Sequence, residues 1–95
     1  MPIRFVGLKE LSDEEVLKTQ NLAKKYLPKF ERHFDSPLLQ ILIKKKDVEG
    51  TRCRYEIKSH LEAPNVRLAS DANDWDIAKT LHKALQKLEN EIKKG

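Results

Sequence analysis

Lysines and arginines at helical spacing are the side chains best placed to do chemistry in this chain, and the chemistry they suit is contact with phosphate. Lys18, Lys25, Lys29 and Arg32 follow one another at steps of seven, four and three, which on an α-helix return to one face. Lys79, Lys83 and Lys87 repeat every four residues, with Lys94 seven further on. Asn21 and Asn90 fall in the same two bands. Rows of cations bind a polyanion by releasing its condensed counterions. A solvated face explains either row alone, because surface helices are commonly rich in lysine. Two rows with few acids between them strengthen the case for phosphate. The 19 Lys+Arg against 15 Asp+Glu, a net charge of +4, lean the same way, as does the pI of ≈ 9.2.

Other candidate groups carry less. Arg4, Lys44, Lys46, Arg52, Arg54, Lys58 and Arg67 share the outward parity of strands, beside Glu56 and Glu62. Cross-strand ion pairs account for them, and few outward aromatics are present to stack bases across a sheet. Asp71, Asp74 and Asp76 lack the alternating oxygens, central glycine and closing glutamate of a calcium loop. Helix capping explains them more simply. His33, His60 and His82 have no serine or carboxylate at a catalytic spacing. Cys53 is the single cysteine and has inward parity, which suits an inert buried thiol and excludes an internal disulfide or a Cys/His zinc site. Trp75 is expected to pack over the sheet edge, with stacking on a base as its alternative. With three glycines, Gly7, Gly50 and Gly95, there is no phosphate-cradling loop. These residues predict no enzyme, no metal, no cofactor and no small-molecule substrate.

The elements that would position these groups can be read from hydrophobic periodicity. Ile3–Leu8 reads as a short strand ending at Gly7. Ser12 and Glu15 form a capping box for a helix with its stripe at Val16, Ala23, Leu27, Phe30 and Phe34, widened by Leu17, Leu22 and Tyr26. Pro28 predicts a kink or a brief break in it, and Asp35-Ser36-Pro37 its end. Leu38–Lys46 is a second strand with Leu39, Ile41 and Ile43 on one face. Val48-Glu49-Gly50 offers a turn. The third strand alternates most cleanly, with Cys53, Tyr55, Ile57, Ser59 and Leu61 on one side. Val66–Ala69 is a short fourth strand. The acidic stretch Asp71–Asp76 then leads to a helix capped by Asn73 or Asp74, its stripe at Ile77, Leu81, Ala84, Leu85, Leu88 and Ile92.

The order β-α-β-β-β-α predicts an α+β fold: a two-layer sandwich with an antiparallel meander in a four-stranded sheet and both helices on one face. Two parallel helices at ordinary packing distance would hold their basic rows about 8–10 Å apart. The 95 residues make one domain, 1–95, with no repeat, linker or low-complexity tract. The longest apolar run, Leu38–Ile43 with Gln40 forgiven, is too short for a bilayer, and the N-terminus is not a signal peptide. A small soluble cytoplasmic domain with no membrane partner is expected.

The element order, the exit Phe30-Glu31-Arg32-His33-Phe34-Asp35 from the first helix, and Leu68-Ala69-Ser70 running through an acidic turn into a Lys-rich final helix resemble the ribosome hibernation-promoting factors. These are also called ribosome-associated translation inhibitors or ribosomal subunit interface proteins, and the length is that of their short members. The resemblance implies a stress-response protein that binds the small ribosomal subunit in the channel used by messenger and transfer RNA and inhibits or protects idle ribosomes. It also implies contacts from basic helix residues to the ribosomal RNA backbone, at positions matching Lys25, Lys29, Lys79, Lys83 and Lys87. Pro28 and Ala84 depart from the family pattern, Ala84 standing where many relatives carry lysine. A general structured or double-stranded RNA-binding module, or a protein-interaction adaptor, is the alternative. Weak homodimerisation through an edge strand stays open.

Overall fold

The computed structural model describes residues 3–47 and 53–94, the side chains of 47, 93 and 94 excepted. The expected turn at Val48-Glu49-Gly50 therefore lies outside the described residues, as does Arg52. The elements are β1 (Ile3–Val6), a single 3-10 turn (Leu8–Glu10), α1 (Asp13–Glu31), β2 (Leu38–Asp47), β3 (Cys53–Ala63), β4 (Val66–Asp74) and α2 (Ile77–Lys94). They form one four-stranded sheet in the order β1-β2-β3-β4. β1 runs parallel to β2, with Phe5 opposite Ile41. β2, β3 and β4 form the expected antiparallel meander, which sets Ile43 against Ile57 and Ile57 against Ala72. Both helices cover one face, and the molecule measures 44 × 25 × 17 Å.

The period-two apolar residues of the strands and the stripes of the helices meet in one core. Phe30, Leu39, Ile41, Ile57, Leu61, Leu81, Leu85 and Leu88 are fully buried. The stripe of α2 is as expected, with Ile92 at its margin. That of α1 is rotated slightly: Thr19, Ala23, Tyr26 and Phe30 are its buried residues, and Leu17 is left 60% exposed. Thr19 and Thr80 are tolerated inside because each hydroxyl donates to the carbonyl four residues back, Thr19 to Glu15 at 2.8 Å and Thr80 to Asp76 at 2.6 Å.

Two departures from the sequence expectation have a local reason, while β1 stops at Val6 and the chain turns at Leu8–Glu10 instead of continuing as strand to Leu8. α1 runs unbroken through Pro28. The proline lies in the last turn, so the missing N–H removes one bond while Tyr26 and Phe30 anchor the segment in the core, and Arg32 N still donates to the Pro28 carbonyl at 3.2 Å. β4 runs to Asp74 rather than stopping at Ala69. Its alternation continues through inward Ser70 and buried Ala72, so the acidic stretch is strand, and the cap of α2 passes to Asp76. The Asp76 carboxylate accepts from Lys79 N at 3.0 Å, and its carbonyl from Thr80 N at 2.9 Å.

Small side chains seat α2 on the sheet. Ser59 and Ser70, opposite one another on β3 and β4, have their hydroxyls 2.5 Å apart. Ser70 donates to the Ala84 carbonyl at 2.7 Å, so its single proton is committed and Ser59 is the donor between them. Ala84 is fully buried at this contact, which excludes a solvated lysine there.

A charged group closes one end of the core. Lys45 has inward parity on β2 and brings its ammonium 3.7 Å from Glu15 Oε1. Glu15 also completes the capping box, accepting from Ser12 N at 3.0 Å and donating its own N–H to Ser12 Oγ at 3.2 Å, and accepts a hydrogen bond from the Tyr55 hydroxyl. Burial pushes the Glu15 carboxyl up, but its bonds to Ser12 and Tyr55 and the Lys45 charge outweigh it and hold the group below its ordinary value. Burial and the Glu15 carboxylate push the Tyr55 hydroxyl well up.

Two outcomes are expected. A folded-state pKa below the unfolded one contributes stability that is present above the unfolded carboxylate pKa and lost as pH falls through the folded value. Glu15→Gln therefore lowers unfolding free energy by about 1–2 kcal/mol at pH 7, and the deficit shrinks in acid; urea unfolding across pH measures both. Gly7 has φ 96°, and a Cβ there would run into the Ile43 carbonyl oxygen. Gly7→Ala costs more than about 1 kcal/mol in the same assay.

Candidate nucleic-acid interface

The two helices pack side by side, and the seam between them orders the basic residues. Tyr26 reaches across from α1. Its hydroxyl donates to Gln86 Oε1 at 3.2 Å and lies 3.1 Å from His82 Nδ1. A hydroxyl has one proton, so His82 is the donor in its pair and carries hydrogen on Nδ1. Burial, and secondarily the Glu89 charge, raise the Tyr26 pKa, which keeps the hydroxyl a donor. Along the seam Lys29 sits 3.3 Å from Glu89 Oε2 and 4.6 Å above the Tyr26 ring. Leu22, Ala78, Lys79, His82 and Lys83 line a shallow, mainly apolar hollow farther along it.

Seven of the eight candidate residues fall into three settings. Lys18, Lys25 and Lys29 are exposed on α1 and Arg32 at its C-cap, with Lys29 reaching Glu89 across the seam. Lys79 is exposed beside the seam hollow on α2. Lys83 borders the same hollow but turns its ammonium over the β4 edge, 2.6 Å from Asp74 Oδ2, and Lys87 Nζ donates to the Asp71 carbonyl at 2.7 Å. The Lys94 side chain lies outside the described residues. The expected pair of facing rows is thus one row along the seam, met by Lys79, and a second over the flank of α2. The cause is the seat of α2: Lys87 follows Ala84 by three residues and so stands over the strand on which Ala84 rests.

Internal partners already hold several of these cations. Lys18 lies 3.6 Å from Glu14, Lys29 pairs with Glu89, and Lys83 with Asp74. The Lys83 hydrogen bond and the Trp75 N–H hold the Asp74 carboxyl below its ordinary value. The Lys18–Glu14 pair is exposed on both sides and yields readily to an arriving phosphate, whereas Lys29 faces a largely buried Glu89 carboxylate and is more firmly held. Among the described residues no ion pair involves Lys25, Arg32 or Lys79.

The remaining chemical candidates are dispersed. His33 is exposed at the exit of α1, His60 is half-buried on the outer sheet face, and His82 serves the seam. Cys53 is half-buried at the start of β3. Among the described residues no cluster of three or more His, Cys, Asp or Glu could hold a metal ion, and no helix is long and apolar enough to cross a membrane. The Glu15–Lys45–Tyr55 group escaped the sequence reading, since Lys45 lies within a run of three lysines. Its strict parity with Leu39, Ile41 and Ile43 was the available signal.

No protein-family model matches the sequence, and no curated protein matches it. Solved structures do. A ribosomal subunit interface protein from Coxiella burnetii matches with a TM-score of 0.70 at 17% identity, over 97% of this chain and 93% of that one. The N-terminal domain of Protein Y from Thermus thermophilus matches with a TM-score of 0.57 at 20% identity, over 97% of this chain and 93% of that one. At such identities the likeness is one of fold, and the fold shared with both is the β-α-β-β-β-α sandwich expected from the sequence.

Proposed function

We propose that this protein binds the small ribosomal subunit through the basic faces of α1 and α2 and so inhibits translation or protects idle ribosomes. The observation that carries this is the near-complete fold correspondence with a ribosomal subunit interface protein. The placement of the basic residues supports it independently. Lys18, Lys25, Lys29, Arg32 and Lys79 lie on the exposed outer side of the helix layer, and Lys83 and Lys87 add a row over the flank of α2; Lys94 is the remaining candidate of this interface. Ribosomal RNA presents phosphates in two-dimensional arrays, which a surface of cations fits better than a single groove does. The work is binding alone. It asks for no nucleophile, cofactor or metal, and takes place in the cytoplasm where ribosomes are.

Affinity that rests on several phosphate contacts falls by about 0.7–0.9 log units per contact for each decade of salt. Purified protein should cosediment stoichiometrically with small subunits at low salt and be released at high salt, and excess duplex RNA should fail to displace it. Lys79→Glu/Lys83→Glu/Lys87→Glu should fold as the parent does, by circular dichroism, and lose cosedimentation. Unchanged cosedimentation of that variant would remove α2 from the interface. Ready displacement by duplex would instead identify a general binder of structured RNA, and absence of binding at low salt would leave a likeness of fold only.

A further inference from the structure

The face of the sheet turned away from the helices is not a uniform field of cross-strand ion pairs. Its cations gather at the β2–β3 end, and an aromatic ring joins them there. The β3–β4 register ends with Tyr55 opposite Asp74, and one further step sets Arg54 opposite Trp75. The geometry follows that step: the Arg54 guanidinium lies 5.8 Å from the centre of the Trp75 ring, and Arg54 also donates to Asn73 Oδ1 on the same face. The bend after β4 is fixed by the Trp75 N–H donating to Asp74 Oδ1 at 2.6 Å. Trp75 nonetheless stays 47% exposed. It therefore does not close over the sheet edge as a core residue would, and the indole is presented on the open face.

The two carboxylates that flank Trp75 in the chain are engaged elsewhere, Asp74 with Lys83 at 2.6 Å and Asp76 with the Lys79 N–H at 3.0 Å, and cations dominate the outer face beside the ring. Lys46 Nζ pairs with Glu56 Oε2 at 3.2 Å, and Lys58 and Lys44 act on the same carboxylate. Against Glu56, and Asp71 opposite Lys58, stand Lys44, Lys46, Lys58 and Arg54, so this end keeps an excess of positive charge. A hollow of about 280 Å³ lies between Lys46, Arg54, Glu56 and Asn73.

We infer that this end of the open sheet face binds a short single-stranded RNA segment, with one base stacked on Trp75 beside Arg54 and the neighbouring phosphates on Lys46 and Lys44. An indole flanked by a guanidinium offers a base a stacking surface of any sequence, and lysines on β2, one strand beyond Arg54, meet the backbone that the base drags with it. An acidic protein segment would also match the charge and pack on the indole, but a flat ring beside a row of cations repeats the base-and-phosphate alternation of a single strand. This site is separate from the helix faces and shares no residue with them, so it stands or falls apart from the ribosome assignment.

The protein has one tryptophan, which makes its own fluorescence the probe. Hexa-adenylate RNA titrated into the protein at low salt should quench Trp75 saturably. Lys46→Glu and Arg54→Gln should each weaken the binding severalfold. Lys24→Glu, which alters net charge as much as Lys46→Glu but lies on α1, should leave the titration unchanged. With a labelled hexamer followed by anisotropy, Trp75→Leu should bind about five- to a hundredfold more weakly, its fold checked by circular dichroism. Absence of quenching at low salt, an equal loss in Lys24→Glu, or equal quenching by hexaglutamate would each overturn the assignment.

Discussion

One apolar sheet face and only two helices to cover it: this constraint governs the molecule. Neither helix can leave the sheet without exposing Leu39, Ile41, Ile57 and Leu61, which are fully buried. The helices must therefore lie side by side, and whatever their outer faces carry becomes one surface. The rows of lysine are collected by this packing rather than by any contact among themselves. The seat of α2 then sets its rotation. Ser59 and Ser70 are small enough to admit the helix backbone, and the Ser70 bond to the Ala84 carbonyl fixes which residues face the seam and which face the β4 edge.

Fold class, element order and the cores of β3 and α2 were legible in the amino-acid sequence because their periods are regular and their neighbours obey them. Cys53 through Leu61 alternates without an exception, and the stripe from Ile77 to Leu88 needs no correction. The errors came where tertiary context overrode a local signal. Pro28 is a helix breaker, but it stands in a last turn whose neighbours Tyr26 and Phe30 are core residues. Asp71, Asn73 and Asp74 are poor strand formers, yet β3 supplies a partner for each and inward Ala72 keeps the alternation, so the strand extends to Asp74.

The candidate surface was legible as two bands of spacing but not as a shape. Helical steps state which residues share a face; they do not state where that face points once the helix is seated. That is why Lys83 and Lys87 are found over Asp74 and the Asp71 carbonyl, while Lys29 meets Glu89 across the seam. The role of Trp75 was hidden in the same way, because it depends on how far β4 extends. The open sheet face and the helix layer therefore bear basic surfaces of different character. One is broad and lacks exposed aromatics, suited to packed phosphate; the other is small and holds an indole.

The account's central claim is that the helix seam is the surface that meets the ribosome. Lysine reactivity mapped by acetylation and mass spectrometry, with and without small subunits, tests it most directly. Protection of Lys25, Lys29 and Lys79 in the complex, with Lys24 on the other side of α1 still reactive, is the predicted pattern. Equal reactivity of Lys25, Lys29 and Lys79 in free and bound protein, in a sample where cosedimentation proves binding, would contradict it.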